Sequence, residues 1–290
     1  PSHRQNPYLR GQQMTNDKQN LRENRIDLEK AELSNDCVVL ENASEKEDFI
    51  VEIRGLYKKY AKAADFVIHD INIECRPGEI VGLLGKNGAG KSTTIKCLTG
   101  FFPFDKGEIK ICGHDIKNDP VKAKMNLGYV PDNRAMFDKM TGTEYINFIA
   151  DLHKTPVEDR IARIDEMQKI FVLGDKIDAL ISSYSHGMRQ KICLMASLIH
   201  QPKLWLLDEP LTGLDPQTSK ALREYMQVYK AKGNGVLYSS HNLDAVEKTC
   251  DRAYIINNGR IVEDIVIADF KKNNPDKTLE EAFIEEFEDD

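Results

Sequence analysis

Long hydrophobic runs are missing from this 290-residue chain. Its most apolar stretches, such as LWLL at 204–207, fall far short of the ~18 residues that a membrane span needs. The N-terminal PSHRQNPYLRGQQM lacks the apolar core of a secretory signal. Cysteine is sparse: Cys37, Cys75, Cys97, Cys112, Cys193 and Cys250 lie scattered without paired spacing, which argues against both a zinc site and a disulfide frame. Excess basic charge is absent too. The net charge is −7, and residues 280–290 alone carry seven acids and no base. The rest of the chain is therefore balanced, and no nucleic-acid partner bound through phosphate neutralisation is expected. No internal repeat is evident. With 41% hydrophobic and 30% charged residues, the composition is that of a soluble globular protein, expected in the cytosol, alone or held by a partner.

What is present divides into blocks. Residues 1–47 are polar with no clear period and are expected to form a mobile arm. From Phe49, FIVEIRGLYKKY and VIHDINIEC alternate like strands, and EIVGLLG (79–85) is a short continuous apolar run like a strand buried on both faces. EIKICGHDI reads as a further strand and turn. Between about 133 and 200 the pattern becomes helical, in TEYINFIADLHK, PVEDRIARIDEMQKIF and GMRQKICLMASLIH. Strands return in LWLLDEP, GVLYSSH and RAYIINNGRIVED. The expectation is an α/β core at 48–132 and 201–270, a helical subdomain at 133–200, and an acidic tail at 271–290. Residues 279, 283, 284 and 287 give that tail an amphipathic helical pattern.

GKNGAGKS at 85–92 fits G-x-x-x-x-G-K-[ST] in full, and it lies between a buried strand and a helical run. In such a loop, Gly85, Asn87, Gly88, Ala89 and Gly90 let backbone N–H groups surround phosphates, and the helix opening at Lys91, Ser92 and Thr93 aims its positive end at them. Lys91 can reach the β- and γ-phosphates, and the Ser92 hydroxyl can ligate Mg²⁺.

LWLLDEP ends a second buried strand in two acids, which are costly there unless a cation or hydrogen bonds satisfy them. In a phosphate-loop protein Asp208 supports Mg²⁺. Glu209, expected on the opposite face of the strand, can polarise the water that attacks the γ-phosphate, and Pro210 is expected to stop the strand. His241 ends a third apolar run. A lone histidine there is more often structural, but beside the loop and the acid pair it reads as a partner for the γ-phosphate or the water.

The order GKNGAGKS, SHGMRQK, LLDEP, TGLD and SSH resembles the ATP-binding subunits of ABC transporters over about residues 50–265. The resemblance implies a P-loop NTPase (RecA-like) core with an antiparallel β subdomain and an inserted α-helical subdomain, using ATP and Mg²⁺. It also implies that Ser185 and Gly187 contact the γ-phosphate of ATP held by a second copy of the chain or a similar one. Ser185 is independently a good helix cap. Tyr60 stands where the family stacks an aromatic on adenine, with Tyr57 as competitor. Leu214-Asp215 matches the loop between paired sites. His186 replaces a glycine of the signature, and Asp132 replaces a glutamine, beside which it could approach Mg²⁺. The acid at Asp132 and the Gly187-Met188 of the signature look like the exporter branch. The implied partner is a membrane-spanning transporter subunit, with this chain peripheral on the cytoplasmic face. Met136, Phe137, Met140, Tyr145 and Phe148 are equally readable as docking face or as core of the helical insert. The competing reading is a soluble ABC-type ATPase without a membrane partner, regulatory or ribosome-associated.

Overall fold

The computed structural model describes residues 49–282 apart from positions 62 and 134. The expected arm at 1–47 and positions 283, 284 and 287 of the expected tail helix lie outside the described residues.

The chain opens with two amphipathic strands, β1 (Val51–Lys58) and β2 (Ile68–Cys75), paired antiparallel. The fully buried β3 (Ile80–Leu84) leads through the glycine-rich loop into α1 (Lys91–Leu98). Strands β4 (Lys106–Ile111) and β5 (His114–Asp115) complete a four-stranded antiparallel sheet, in the order β2-β1-β4-β5. Helix α2 (Pro120–Met125) then returns the chain to β6 (Leu127–Val130).

The helical insert follows as α3 (Gly142–Leu152), α4 (Val157–Phe171) and α5 (His186–Leu198). Thr141 starts α3 with a full capping box: its side chain accepts from the Glu144 N–H, and Glu144 accepts from the Thr141 N–H. The core resumes with β7 (Leu204–Asp208), α6 (Pro216–Ala231), β8 (Gly235–Ser240), α7 (Leu243–Thr249), β9 (Arg252–Asn257), β10 (Arg260–Val266) and α8 (Ile267–Asn273). Beyond α8, Leu279 is buried and its N–H bonds to the Glu247 carboxylate at 2.8 Å.

The second sheet has the order β10-β9-β3-β8-β7-β6, parallel except for the β10 edge. Strand pleating explains its apolar runs. On β7, Trp205 and Leu207 face the helical side of the core, whereas Leu204 and Leu206 face the antiparallel sheet and α1. Because β3, β8 and β7 are adjacent and parallel, their C-terminal ends meet at one edge: Leu84 pairs with Ser240, and Asp208 pairs with Ser239. Val130 of β6 lies opposite Leu207. In open α/β sheets this edge is where ligands bind.

Candidate nucleotide site

Four of the five loops that leave the carboxyl edge of the parallel strands carry a residue singled out in the sequence. After β3 comes the loop 85–90. Helix α1 begins at Gly90, whose φ of +119° suits glycine alone, and no side chain caps it. Its first N–H groups are thus left to the loop, as a phosphate cradle requires. Lys91 is buried (6% exposed); its ammonium donates to the Gly85 carbonyl at 2.6 Å and the Lys86 carbonyl at 3.3 Å. Burial lowers its pKa, opposed by Glu209 and Asp208. Ser92 is exposed at the start of the helix.

The acids lie across from this loop. Asp208 is buried at the last position of β7, where Ser239 Oγ donates to its Oδ1 at 2.5 Å. Burial raises its pKa; the Ser239 bond opposes this, and Asp132 and Glu209 add to it. Asp132, exposed in the turn after β6, adds its negative charge to this upward pressure.

Glu209 does not continue the strand. β7 stops at Asp208, before Pro210, and Glu209 sits at φ +48°. For a non-glycine residue such a conformation costs about 1–3 kcal/mol. The turn is held by the Glu209 N–H, which donates to Ser239 Oγ at 3.2 Å and to the Ser239 carbonyl at 3.3 Å. Its carboxylate then spans the site, with Oε1 3.9 Å from Lys91 Nζ and Oε2 3.0 Å from His241 Nδ1. Strand alternation is thus not what directs Glu209; a left-handed turn is. His241 is open to solvent, and with Gly85, Lys86, Asn87, Leu84 and Leu243 it lines a cavity of about 320 Å³.

Tyr60 joins this group at the base of the cradle. Its hydroxyl is 3.0 Å from Thr93 Oγ1, and its ring meets Phe102 edge-on at 5.7 Å. Tyr57 packs instead against Phe66 and His69.

Ser185, Gly187 and Asp215 form a second group. Ser185 Oγ caps α5 by accepting from the Met188 N–H at 3.3 Å. Asp215 caps α6 through the Thr218 N–H at 2.9 Å and the Thr218 hydroxyl, and these bonds hold its carboxyl below the usual range. The two helix starts approach each other at Gly213. His186 packs its ring on Gly213, where an added Cβ would lie 2.1 Å from His186 Cδ2; Gly187 approaches the Gly213 carbonyl.

Two residues at the site were not anticipated: Ser239, which holds both acids, and Gln190, which donates to the Pro210 carbonyl at 2.7 Å. Serine at the end of a strand carries no local signal; only the β7–β8 register pairs Ser239 with Asp208.

Ser92 and Asp208 are the residues that could offer oxygen ligands to a hard cation. Among the described residues no cluster of three or more His, Cys, Asp or Glu forms a metal cage. Mg²⁺ needs none, since it takes one or two protein oxygens together with substrate phosphates and water. The Cys75, Cys97, Cys112, Cys193 and Cys250 side chains are buried, and no disulfide joins them among the described residues.

A parallel sheet with a phosphate loop after β3 and an acid pair at the end of β7 defines a P-loop NTPase. The ABC transporter family model matches residues 68–212. An uncharacterized ABC transporter ATP-binding protein of Bacillus subtilis, YhcH, is 34% identical over 212 residues, covering 73% of this chain and 68% of the relative. Nod factor export ATP-binding protein I of Ralstonia nicotianae is 32% identical over 211 residues, covering 73% and 65%. The solved ATP-binding subunit of an ABC transporter is 31% identical with a TM-score of 0.77, covering 81% of this chain and 98% of that one. The chain belongs to the ABC transporter family, and it is an ATP-binding cassette ATPase. No helix among the described residues is long and apolar enough to cross a membrane.

Proposed function

We propose that this chain is the ATP-hydrolysing motor of a membrane exporter. It works peripherally on the cytoplasmic face, paired with a second copy or a similar chain and docked to a membrane-spanning subunit. The observation that carries the reading is the Glu209 carboxylate, set between Lys91 and His241 at the mouth of the cradle.

ATP would lie with its phosphates over residues 85–93 and its adenine against Tyr60. Lys91 would exchange its bonds to the loop carbonyls for phosphate oxygens. Glu209 accepts a proton from the attacking water, and His241, hydrogen-bonded to it, orients the carboxylate and approaches the γ-phosphate. Mg²⁺, held by Ser92 and Asp208 with Asp132 near its water shell, would neutralise phosphate charge; Asp208, a buried carboxylate among like charges, suits a cation.

Ser185 and Gly187, at the start of α5, would meet the γ-phosphate bound by the other chain. Two sites would then close head to tail in a symmetric pair and open after hydrolysis, with Asp215 on the loop between them. Export is favoured by the likeness to a Nod factor export ATP-binding protein. On the helical insert, Met136, Met140 and Tyr145 pack against the core, while Phe137 stays 54% exposed beside Phe148. The aromatic pair is the part of this face open to a membrane subunit.

Glu209→Gln tests the reading: it should retain ATP, slow turnover about 10²–10⁴-fold and accumulate an ATP-bound dimer on size-exclusion chromatography. Unchanged turnover would overturn the role of Glu209 as base. A slow variant that remains monomeric with ATP would overturn the paired arrangement.

A further inference from the structure

Gln190 is the fifth residue of α5 and is fully buried. Its Nε2 donates to the Pro210 carbonyl at 2.7 Å, whereas its Oε1 has no hydrogen-bond partner among the described residues. An apolar side chain of similar length would fill the same space without the orphaned Oε1, so packing alone does not account for an amide here. The bond it makes does. Pro210 follows Glu209, the residue in the left-handed turn. Ser239 of β8 holds the N–H of Glu209 on one side. Gln190 of α5 holds the next carbonyl on the other. The same face of α5 touches this segment twice more, through His186 on Gly213 and Lys191 Nζ at 3.9 Å from Asp215.

We infer that Gln190 is a positioning residue for Glu209. By fixing the Pro210 carbonyl it sets the backbone turn that aims the Glu209 carboxylate at His241, and it ties that turn to the helix that begins with Ser185. The inference rests on Glu209 acting as the base in ATP hydrolysis. It assigns Gln190 no contact with ATP: the amide acts through the backbone of the Glu209–Pro210 turn.

The test is steady-state ATP hydrolysis and equilibrium ATP binding by the full chain with Mg²⁺. Gln190→Met preserves size and removes the donor. It should lower kcat by up to about 100-fold, as a displacement of a reacting group by about 1 Å can, leave KM and ATP affinity essentially unchanged, and lower Tm only by a few degrees as the Pro210 carbonyl loses its donor. In a Glu209→Gln background the same change should have no further effect, because there is no base left to aim.

Gln190→Glu gives an independent readout should Gln190→Met fold poorly. An ionised carboxylate faces the Pro210 carbonyl acceptor to acceptor, while a protonated one can donate to it. Its turnover relative to the unsubstituted chain should therefore rise as pH falls. If Glu209→Gln alone leaves turnover intact, the base reading fails. If Glu209→Gln is slow but Gln190→Met runs at the normal rate, or their effects multiply, Gln190 does not position the base. A folded Gln190→Glu chain with a normal rate and pH profile overturns the inference equally.

Discussion

The junction between the helical insert and the core holds two stacked histidines, and their burial makes stability depend on pH. His200 follows α5 and His153 ends α3; their rings lie 3.5 Å apart at 17°. His200 Nε2 is 3.2 Å from the carbonyl of Leu127, the first residue of β6. The Nδ1 atoms of both rings are buried without partners among the described residues. Burial first, then His153, and to a lesser degree Arg163, lower the His200 pKa from 6.5 to about 4, against the opposing Leu127 bond. Burial lowers His153 as well. An unfolded histidine takes up its proton near pH 6.5, so between that value and about 4 the unfolded chain binds more protons. Stability is therefore complete above pH 6.5 and is lost as pH falls toward 4. For His200 alone the loss between pH 7 and pH 5 is about 2 kcal/mol, or roughly 4–8 °C in Tm for a domain of this size. His200→Phe keeps an aromatic plate on His153 and removes the titrating ring. Urea unfolding at the two pH values should show the unsubstituted chain losing about 2 kcal/mol more than this variant. Equal losses would refute the account.

Three further outcomes follow from the geometry. Lys91→Ala should abolish measurable ATP affinity in a titration with a fluorescent nucleotide; normal binding would refute the cradle. Asp208→Asn removes a carboxylate whose pKa burial raises, so without nucleotide its Tm at pH 7 should equal or exceed that of the unsubstituted chain while hydrolysis is lost. Gly213→Ala forces a Cβ into the His186 ring at a φ of +80° and should cost about 1–3 kcal/mol in urea unfolding. Adding His186→Ala should recover part of that cost, and a strictly additive pair would show that the ring is not the obstacle.

How much of this was legible in the sequence depends on whether a feature is local. β3, β7 and β8 read correctly as buried strands because parallel strands covered on both faces are continuous apolar runs. The cap of α5 was equally readable at Ser185, whereas the Asp215 cap of α6 was not read and emerges only in the structure. Pairing between strands distant in the chain leaves no such trace. Ser239 meets Asp208 only because β8 lies between β3 and β7 in a particular register. Alternation alone also misassigns Glu209, because the chain leaves the strand one residue earlier than the acid pair suggests and turns left-handed.

His186 shows the same limit from the other side. From the sequence His186 could equally add a donor near the γ-phosphate or point away; in the structure its ring packs on Gly213 of its own chain. Since Gln190 and Lys191 reach the same segment, the α5 that starts at Ser185 is held to the Glu209 turn at three points. A shift of either one must therefore move the other or break the buried Gln190–Pro210 bond, which would couple the signature end of α5 to the proposed hydrolysis.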